Sequence, residues 1–413
     1  MARPLGRGIA GRADLMRRAL LFPVAIAATP ALAQEVTPIL DARLRHEAVD
    51  QAGFAKDAHA LTVRLRAGAE IRQGDFALLA EAEGTLALKE RYNSSTNGRT
   101  AFPIVPDPEN IEINRIQLQY RGIESTLITA GRQRIALDDQ RFVGNVDWRQ
   151  NEQTFDAVRV ESRAIGPLAI DLTYASAART IYGTRSPIAR IDGDNIFAGV
   201  SLKLGPVNAK CFAYLIDQDT AVRRHFSSQT YGLRATTALP LGRAKLSLAA
   251  SYARQSDWRD NPNRYAADYW LADAQLQFKA VGFSGGYEVL GADKGLTNTS
   301  FQTPLATLHK FQGWADKFLV TPADGIRDLY AGGSYTLVLG KAPPIRMQAI
   351  YHRFDSDRNT RRYGDEWDLQ LGFRPAKRLA ALIKYSNYRA ASFATDTRKL
   401  WLQLDFSLAS NQA

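Results

Sequence analysis

Apolar and polar residues alternate with a period of two along most of this chain. Leu40, Ala42 and Leu44 alternate with Asp41, Arg43, Arg45 and Glu47, the pattern of an extended strand with one oily and one charged face. Residues 62–72 set Val63, Leu65, Ala67, Ala69 and Ile71 against Arg64, Arg66, Glu70 and Arg72. After Gln73-Gly74 the next segment sets Phe76, Leu78, Ala80 and Ala82 against Glu81 and Glu83. The reading repeats with Ile116, Leu118 and Tyr120 against Arg115, Gln117, Gln119 and Arg121, and with Trp367, Leu369, Leu371 and Phe373 against Glu366, Asp368 and Gln370. The last strand opposes Leu400, Leu402, Leu404 and Phe406 to Gln403, Asp405 and Ser407. Counting such segments predicts about 18 strands, an even number as a closed bacterial barrel requires.

Connection lengths alternate as regularly. Short ones fall at 73–74, 122–123, 164–166, 205–206, 240–242, 281–282, 340–344 and 374–377. Long polar ones fall between them at 91–110, 135–152, 179–194, 218–227, 255–266, 292–325, 355–363 and 389–395. Tight turns on one rim and long loops on the other predict an all-β, transmembrane, up-and-down antiparallel barrel, with periplasmic turns and extracellular loops. Closure pairs every backbone group and leaves no sheet edge. A lumen of this width is expected to be wet. Tyr92, Tyr269, Trp270, Tyr385, Tyr388 and Trp401, near strand ends, are expected in interfacial girdles. The 292–325 loop, which contains Trp314, is read either as an inserted gate or as an ordinary external loop.

Composition sharpens this picture at the N-terminus. Arg3, Arg7, Arg12, Arg17 and Arg18 precede a short apolar run over 19–28, and Ala31-Leu32-Ala33 supplies a small-x-small cleavage site. A signal peptide over 1–33 is expected, cleaved after Ala33, with the barrel over 34–413 and the outer membrane as destination. The net charge of +11 then falls to about +7 for the mature chain. Export argues against nucleic acid as the partner of that charge, and the lone Cys211 excludes an internal disulfide framework.

The polar faces carry the candidate chemistry. Arg43, Arg45, Arg64, Arg66, Arg115, Arg121, Arg159 and Arg163 share the inward faces with Glu161 and other carboxylates. Guanidinium forks bind carboxylates through paired charge-assisted hydrogen bonds, and rings of Arg or Lys select anions. Cross-strand Arg–acid pairs would equally neutralise and brace the wall. Arg141, Asp147, Trp148 and Arg149, in the long connection before the 153–163 strand, are placed with Trp314 at the mouth. The five histidines show no paired-ligand spacing. Folding 330–339 onto 345–354 sets His352 opposite Ala331 or Gly332 rather than Ser334. No catalytic residue, metal site or cofactor is expected.

The segments RYNSSTNGRTAFP (91–103), GRQRIALDDQRFVGNVDWRQNEQTFDAVR (131–159) and FQGWADKFLVTPADGIRDLY (311–330) resemble the alginate export domain family of Gram-negative outer-membrane proteins. The GNVDWRQNEQTFD block is similar to a broader branch than the alginate exporters proper. The resemblance implies an 18-stranded barrel whose Arg-rich lumen passes an anionic saccharide or polysaccharide. It implies outer-membrane lipid and periplasmic components of a polymer secretion system as partners. Uptake of small anions or sugar breakdown products is the alternative transport reading.

Overall fold

The computed structural model describes residues 34–408. The expected signal peptide and residues 409–413 lie outside them. Within the described residues 18 antiparallel strands form one closed sheet, each bonded to its neighbours in sequence. Strands β1 (Glu35–Gln51) and β18 (Thr397–Ser407) close the cylinder, in register from Asp41 opposite Ser407 to Gln51 opposite Thr397. Short turns lie on one rim: β2 (Ala58–Gln73) passes to β3 (Phe76–Arg91) through Gly74, whose φ of +55° suits a two-residue hairpin connection.

The period-two pattern resolves into two faces. Leu40, Leu44, Leu65, Leu78, Ile116, Leu118, Leu369, Leu402 and Leu404 are all exposed on the outside of the barrel. Arg45, Arg64, Arg66, Glu81, Glu83, Glu366 and Asp368 are buried on the inside. An apolar belt of this extent around a closed sheet is the mark of a lipid-facing surface. Over 126–134 Gln133 is buried inward, and Arg132 joins the exposed Ile116 and Val158 on the outer face.

Two of the long connections fold into the lumen. Loop A (134–153) joins β5 (Thr126–Gln133) to β6 (Thr154–Ser162), and loop B (291–325) joins β13 (Val281–Leu290) to β14 (Ile326–Leu337). They meet in a parallel bridge between Val143 and Leu305, and Gln153 Nε2 donates to Gly144 O at 2.7 Å and Leu305 O at 2.9 Å. Phe142, Val143, Phe301, Leu305 and Phe318 from the loops pack on wall residues Phe197, Phe212, Tyr269 and Phe354. The lumen is therefore not wet throughout: loop side chains supply the dry core that the wall alone is too wide to make. Loop B is therefore inserted into the lumen rather than an ordinary external loop.

The aromatic girdle needs correction. Tyr92, Tyr269, Tyr388 and Trp401 are fully buried, because their parity in the strand turns them inward or under a loop. Trp270, one residue from Tyr269, has the opposite parity and is 54% exposed. Tyr385 lies on the outer face beside Ile383, and Tyr174, Tyr231, Tyr287, Tyr335 and Trp367 are among the outward aromatics that inspection of strand ends overlooked.

Leu402→Arg, in the middle of β18 on the outer face, is expected to destabilise the barrel by about 2–4 kcal/mol in lipid. Denaturant titration of the protein folded into vesicles measures this. A cost below about 0.5 kcal/mol, the range of an ordinary surface change, would remove the lipid-facing assignment.

A candidate solute pathway divided by two loops

Loop A reaches across the lumen on two arginines. Arg141 Nε donates to Glu288 Oε1 on β13 at 2.6 Å and its Nη1 to Thr303 Oγ1 at 2.9 Å. Arg149 pairs with Glu47 on β1 at 3.1 Å and with Asp316 of loop B at 2.9 Å. Both guanidiniums are buried, and Glu288, beside the Arg141 guanidinium, helps hold it in its charged form against the opposing effect of burial. Asp138 and Gln140, just before Arg141, and Val146, between the two arginines, adopt positive φ, the reversals that let a polar segment double back inside the barrel.

Loop B is held by the backbone as much as by side chains. Trp314 N donates to Asp368 Oδ2 at 3.1 Å and Ala315 N to Glu366 Oε1 at 2.7 Å, both on β16 (Arg362–Ala376). Gly313 has φ +80°, and a Cβ there would stand 2.4 Å from the Glu366 carboxylate, so only glycine lets the chain approach so closely. His309 Nδ1 contacts Asp316 Oδ1 at 2.7 Å and its Nε2 contacts Lys384 Nζ at 2.7 Å. An ammonium can only donate, so Nε2 accepts and Nδ1 carries the proton toward Asp316. Burial, reinforced by Lys384, holds the His309 pKa well below its ordinary value, in keeping with a neutral ring. Burial works against the Asp316 carboxylate, but Lys399, at 2.6 Å, together with His309 and Arg149, keeps its pKa well below the usual range.

Trp148 stacks on His309 at 4.4 Å with 7° between the rings. The Lys384 ammonium lies 3.7 Å from the Trp314 ring centre and 4.2 Å from that of Trp148, a cation–π cradle. Arg45 covers the other side of Trp148 at 4.1 Å and donates to its carbonyl. Arg141, Trp148, Arg149 and Trp314 therefore stand deep in the lumen, pinned to the wall, rather than at the mouth; Asp147 alone of that set is exposed. Sequence inspection missed His309, Asp316 and Lys399, because the first two lie in one irregular loop with no repeating pattern and Lys399 is 83 residues further along the chain.

This assembly divides the interior. On the long-loop side a cavity of about 160 Å³ is lined by Arg149, Tyr182, Arg223, His309, Asp316 and Leu319. On the short-turn side a larger one, about 680 Å³, is lined by Arg234, Lys245, Asp273, Lys310, Trp314 and Tyr330. Residues 308–316 contribute to both, so this one segment is floor to the first and roof to the second. A third cavity, about 620 Å³, holds Arg121, Arg159, Glu161, Arg163, Asp171 and Lys210.

The arginines expected to line a pathway fall into two groups. Arg43 pairs with Asp405 at 2.6 Å and donates to Asp147 O at 2.9 Å. Arg64 pairs with Asp41, Arg66 with Glu83 and, at 3.4 Å, with Glu152, and Arg115 with Glu81 at 2.7 Å. With Arg45 these brace the wall and anchor loop A. Arg121, Arg159 and Arg163 instead meet around the third cavity, where Arg159 is shared between Asp171 at 2.6 Å and Glu161 at 3.0 Å. His352 lies opposite Tyr330, one position from the expected partners, and bonds Asp328 at 2.9 Å; Ser334 lies opposite Gln348.

Closed strands, an apolar outer belt and a charged, loop-divided interior define a channel-type barrel of the bacterial outer membrane. The Alginate export family model matches residues 39–282, and the chain belongs to that family. Solved barrels share the fold at low identity. Pseudomonas aeruginosa OpdK with vanillate is 15% identical, covering 90% of this chain and 98% of that one, with a TM-score of 0.66. Acinetobacter baumannii OccAB4 is 12% identical over 90% and 98%, TM-score 0.68. P. aeruginosa OccK9 (OpdG) is 14% identical over 91% and 99%, TM-score 0.69. A search of curated proteins finds no match.

Asp316→Ala leaves Arg149, Lys399 and His309 without their shared carboxylate, and loss of such a buried pair is expected to cost about 3–5 kcal/mol of loop docking. Larger or noisier single-channel conductance and new protease cuts within 291–325 would register it; unchanged conductance and protection would show that the segment is held elsewhere. Acid is expected to act in the same direction. A released His309 takes up a proton below its ordinary pKa of about 6.5 whereas the docked one does not, so docking weakens as pH falls below that value. Conductance recorded from pH 8 to pH 5 should show more frequent open states at the acid end in the parent and a flatter profile in His309→Gln.

Proposed function

We propose that this barrel is a passive channel for carboxylate-bearing saccharides, with small uronate-type solutes as the species that pass the resting structure. The observation that carries the proposal is the charge balance of two cavities. The third cavity sets Arg121, Arg159, Arg163 and Lys210 against Asp138, Glu161 and Asp171. The long-loop cavity sets Arg149 and Arg223 against Asp316. Each retains a surplus cation. Arg223 stacks on Phe226 at 4.3 Å and donates to Gln218, and among the described residues no carboxylate pairs with it; burial lowers its pKa. A half-buried guanidinium of this kind is a natural first contact for an anion arriving from outside. Further in, carboxylate partners already compete for Arg159, so a solute is held weakly enough to leave, as conduction demands.

Passage of a long polyanion through the same lumen is the second reading, favoured by membership of the Alginate export family. It requires residues 308–316 to move aside, since the cavity above them, about 160 Å³, is too small for a chain of sugar rings. OpdK, solved with vanillate, is a barrel of this fold crystallised with a small carboxylate, which supports the small-solute reading. No covalent step or cofactor enters either proposal.

Reversal potential and current block in planar bilayers test it, with glucuronate, galacturonate and their oligomers as probes, on the parent, on Arg223→Gln and on Arg121→Gln/Arg159→Gln/Arg163→Gln. Each charged hydrogen-bonding partner is worth about 1.5–3 kcal/mol. Uronate block should therefore weaken by roughly tenfold or more in either variant, with anion preference reduced. A pore without anion preference, or block equally strong in all three proteins, would overturn the proposal. Block by oligomers but not by monomers would favour the polymer reading.

A further inference from the structure

We infer that the outer face of the barrel carries a binding site for a phosphorylated glycolipid headgroup of the surrounding outer leaflet, built around Arg132, Arg179 and Arg190. These three guanidiniums come from three strands, β5, β7 (Leu168–Arg179) and β8 (Arg190–Leu204), and converge on one carboxylate of β6. Arg132 Nε donates to Asp156 Oδ1 at 2.8 Å, Arg179 Nε to Oδ2 at 3.4 Å and Arg190 Nη1 to Oδ2 at 3.0 Å. Arg190 also pairs with Asp192 at 2.5 Å. Three cations pair with two carboxylates, leaving a surplus positive charge among these contacts, and the Arg190 side chain stays 40% exposed.

Position fixes the level. Arg132 is the penultimate residue of β5, Arg179 the last of β7 and Arg190 the first of β8, all at the long-loop rim and thus at the extracellular boundary of the bilayer. Toward the membrane centre the same strands and β4 (Asn110–Tyr120) expose Ile116, Leu118, Val158 and Leu172. A hollow of about 390 Å³ links the two zones, lined by Ile116, Gly131, Arg132, Asp156, Val158 and Tyr174. Gly131 makes that hollow: it has φ +115°, and a Cβ would stand 2.3 Å from Ile116 O. Register shifts in β6–β7 and β7–β8 pairing adjoin the cluster, at Asp156/Ala157 and Ala175/Ala177, and bulges re-aim side chains at such rims.

Elsewhere the outer face handles charge differently. Arg254 pairs with Asp268 at 3.0 Å and Arg353 with Asp355 at 2.9 Å, one cation to one carboxylate. The β5–β8 cluster, unlike these pairs, combines a cationic surplus with an apolar stripe directly beneath. Phosphate oxygens suit guanidinium forks, and the acyl chains of the same molecule would cover the stripe. That pairing commits the site to a membrane lipid over a free anion.

Native mass spectrometry of the full chain in detergent tests the inference, with bis-phosphorylated lipid A, its dephosphorylated form and inorganic phosphate as separate probes. The parent should retain the phosphorylated lipid, hold the dephosphorylated one at least tenfold more weakly, and bind inorganic phosphate no better than Arg254→Gln does at its own site. Arg132→Gln/Arg179→Gln/Arg190→Gln should lose the lipid by tenfold or more, and Arg254→Gln should keep it. Retained heat-resistant mobility and conductance would show that the triple variant still folds. Should it not fold, Arg190→Gln alone, together with the phosphate comparison on the parent, decides. Equal retention of both lipids, undiminished binding by the variants, or inorganic phosphate binding as strongly as the lipid would overturn the inference.

Discussion

Hydrocarbon offers no partner to a peptide group, so a sheet within it must close on itself. Here the closing seam is the pairing of β1 with β18, and much else follows from that geometry. Closure fixes register, register fixes parity, and parity sends Leu44 and Leu404 outward while Arg43 and Asp405 meet inside. The seam is thus sealed twice, by backbone bonds and by an ion pair that spans the two ends of the chain. A slip of one residue along it would turn leucines into the lumen and charges into lipid, a cost spread over every position of both strands.

A closed sheet of this size faces a second constraint: its own side chains do not reach across it. Loops A and B answer it by bringing a core with them. Their apolar residues pack against the wall, and their polar backbone is satisfied by carboxylates already present there, Asp368 receiving Trp314 N and Glu366 receiving Ala315 N. The acidic residues of β16 are therefore not merely counterions for lumen arginines. They hold a turn of loop B against a curved wall, where adjacent strands of the barrel are already paired with each other and cannot take it up as an edge. The network around Asp316 then joins loop B to loop A, β18 and β1 by way of Arg149, Lys399 and Glu47. It joins four segments far apart in sequence, so the partition has few independent ways to move.

The barrel was legible in the sequence because its information is local. Alternation over a few residues identifies Leu65 as outward and Arg64 as inward without knowledge of any neighbour, and loop lengths identify the rims. Relations across the lumen were not legible, since no short-range pattern links Arg149 to Glu47 or Trp314 to Lys384. The aromatic errors have the same origin. Tyr269 and Trp270 are adjacent, both near a strand end, and only parity tells that one packs under Phe301 and the other faces outward. The near miss at His352 reflects a turn: the five-residue uncertainty around 340–344 sets the β14 to β15 (Ile345–Asp355) register, and the actual pairing meets at Leu337 and Ile345.

Whether lumen arginines select solute or brace wall is a false choice once their partners are known. A buried guanidinium with a single carboxylate partner, such as Arg64 with Asp41, gives up a strong pair to bind anything else, and solute would have to offer more than the carboxylate it displaces. Arg159 shares itself between two carboxylates at the edge of a cavity and can exchange one of them for a solute carboxylate at little net cost. Among the described residues Arg223 has none to exchange. Affinity along the barrel should then follow the degree of prior pairing, strong and slow nowhere, weakest where bracing is complete. A wall braced in this way keeps the positive surplus in a few places, and under the proposed function those places, rather than the total arginine content, would set which anions pass.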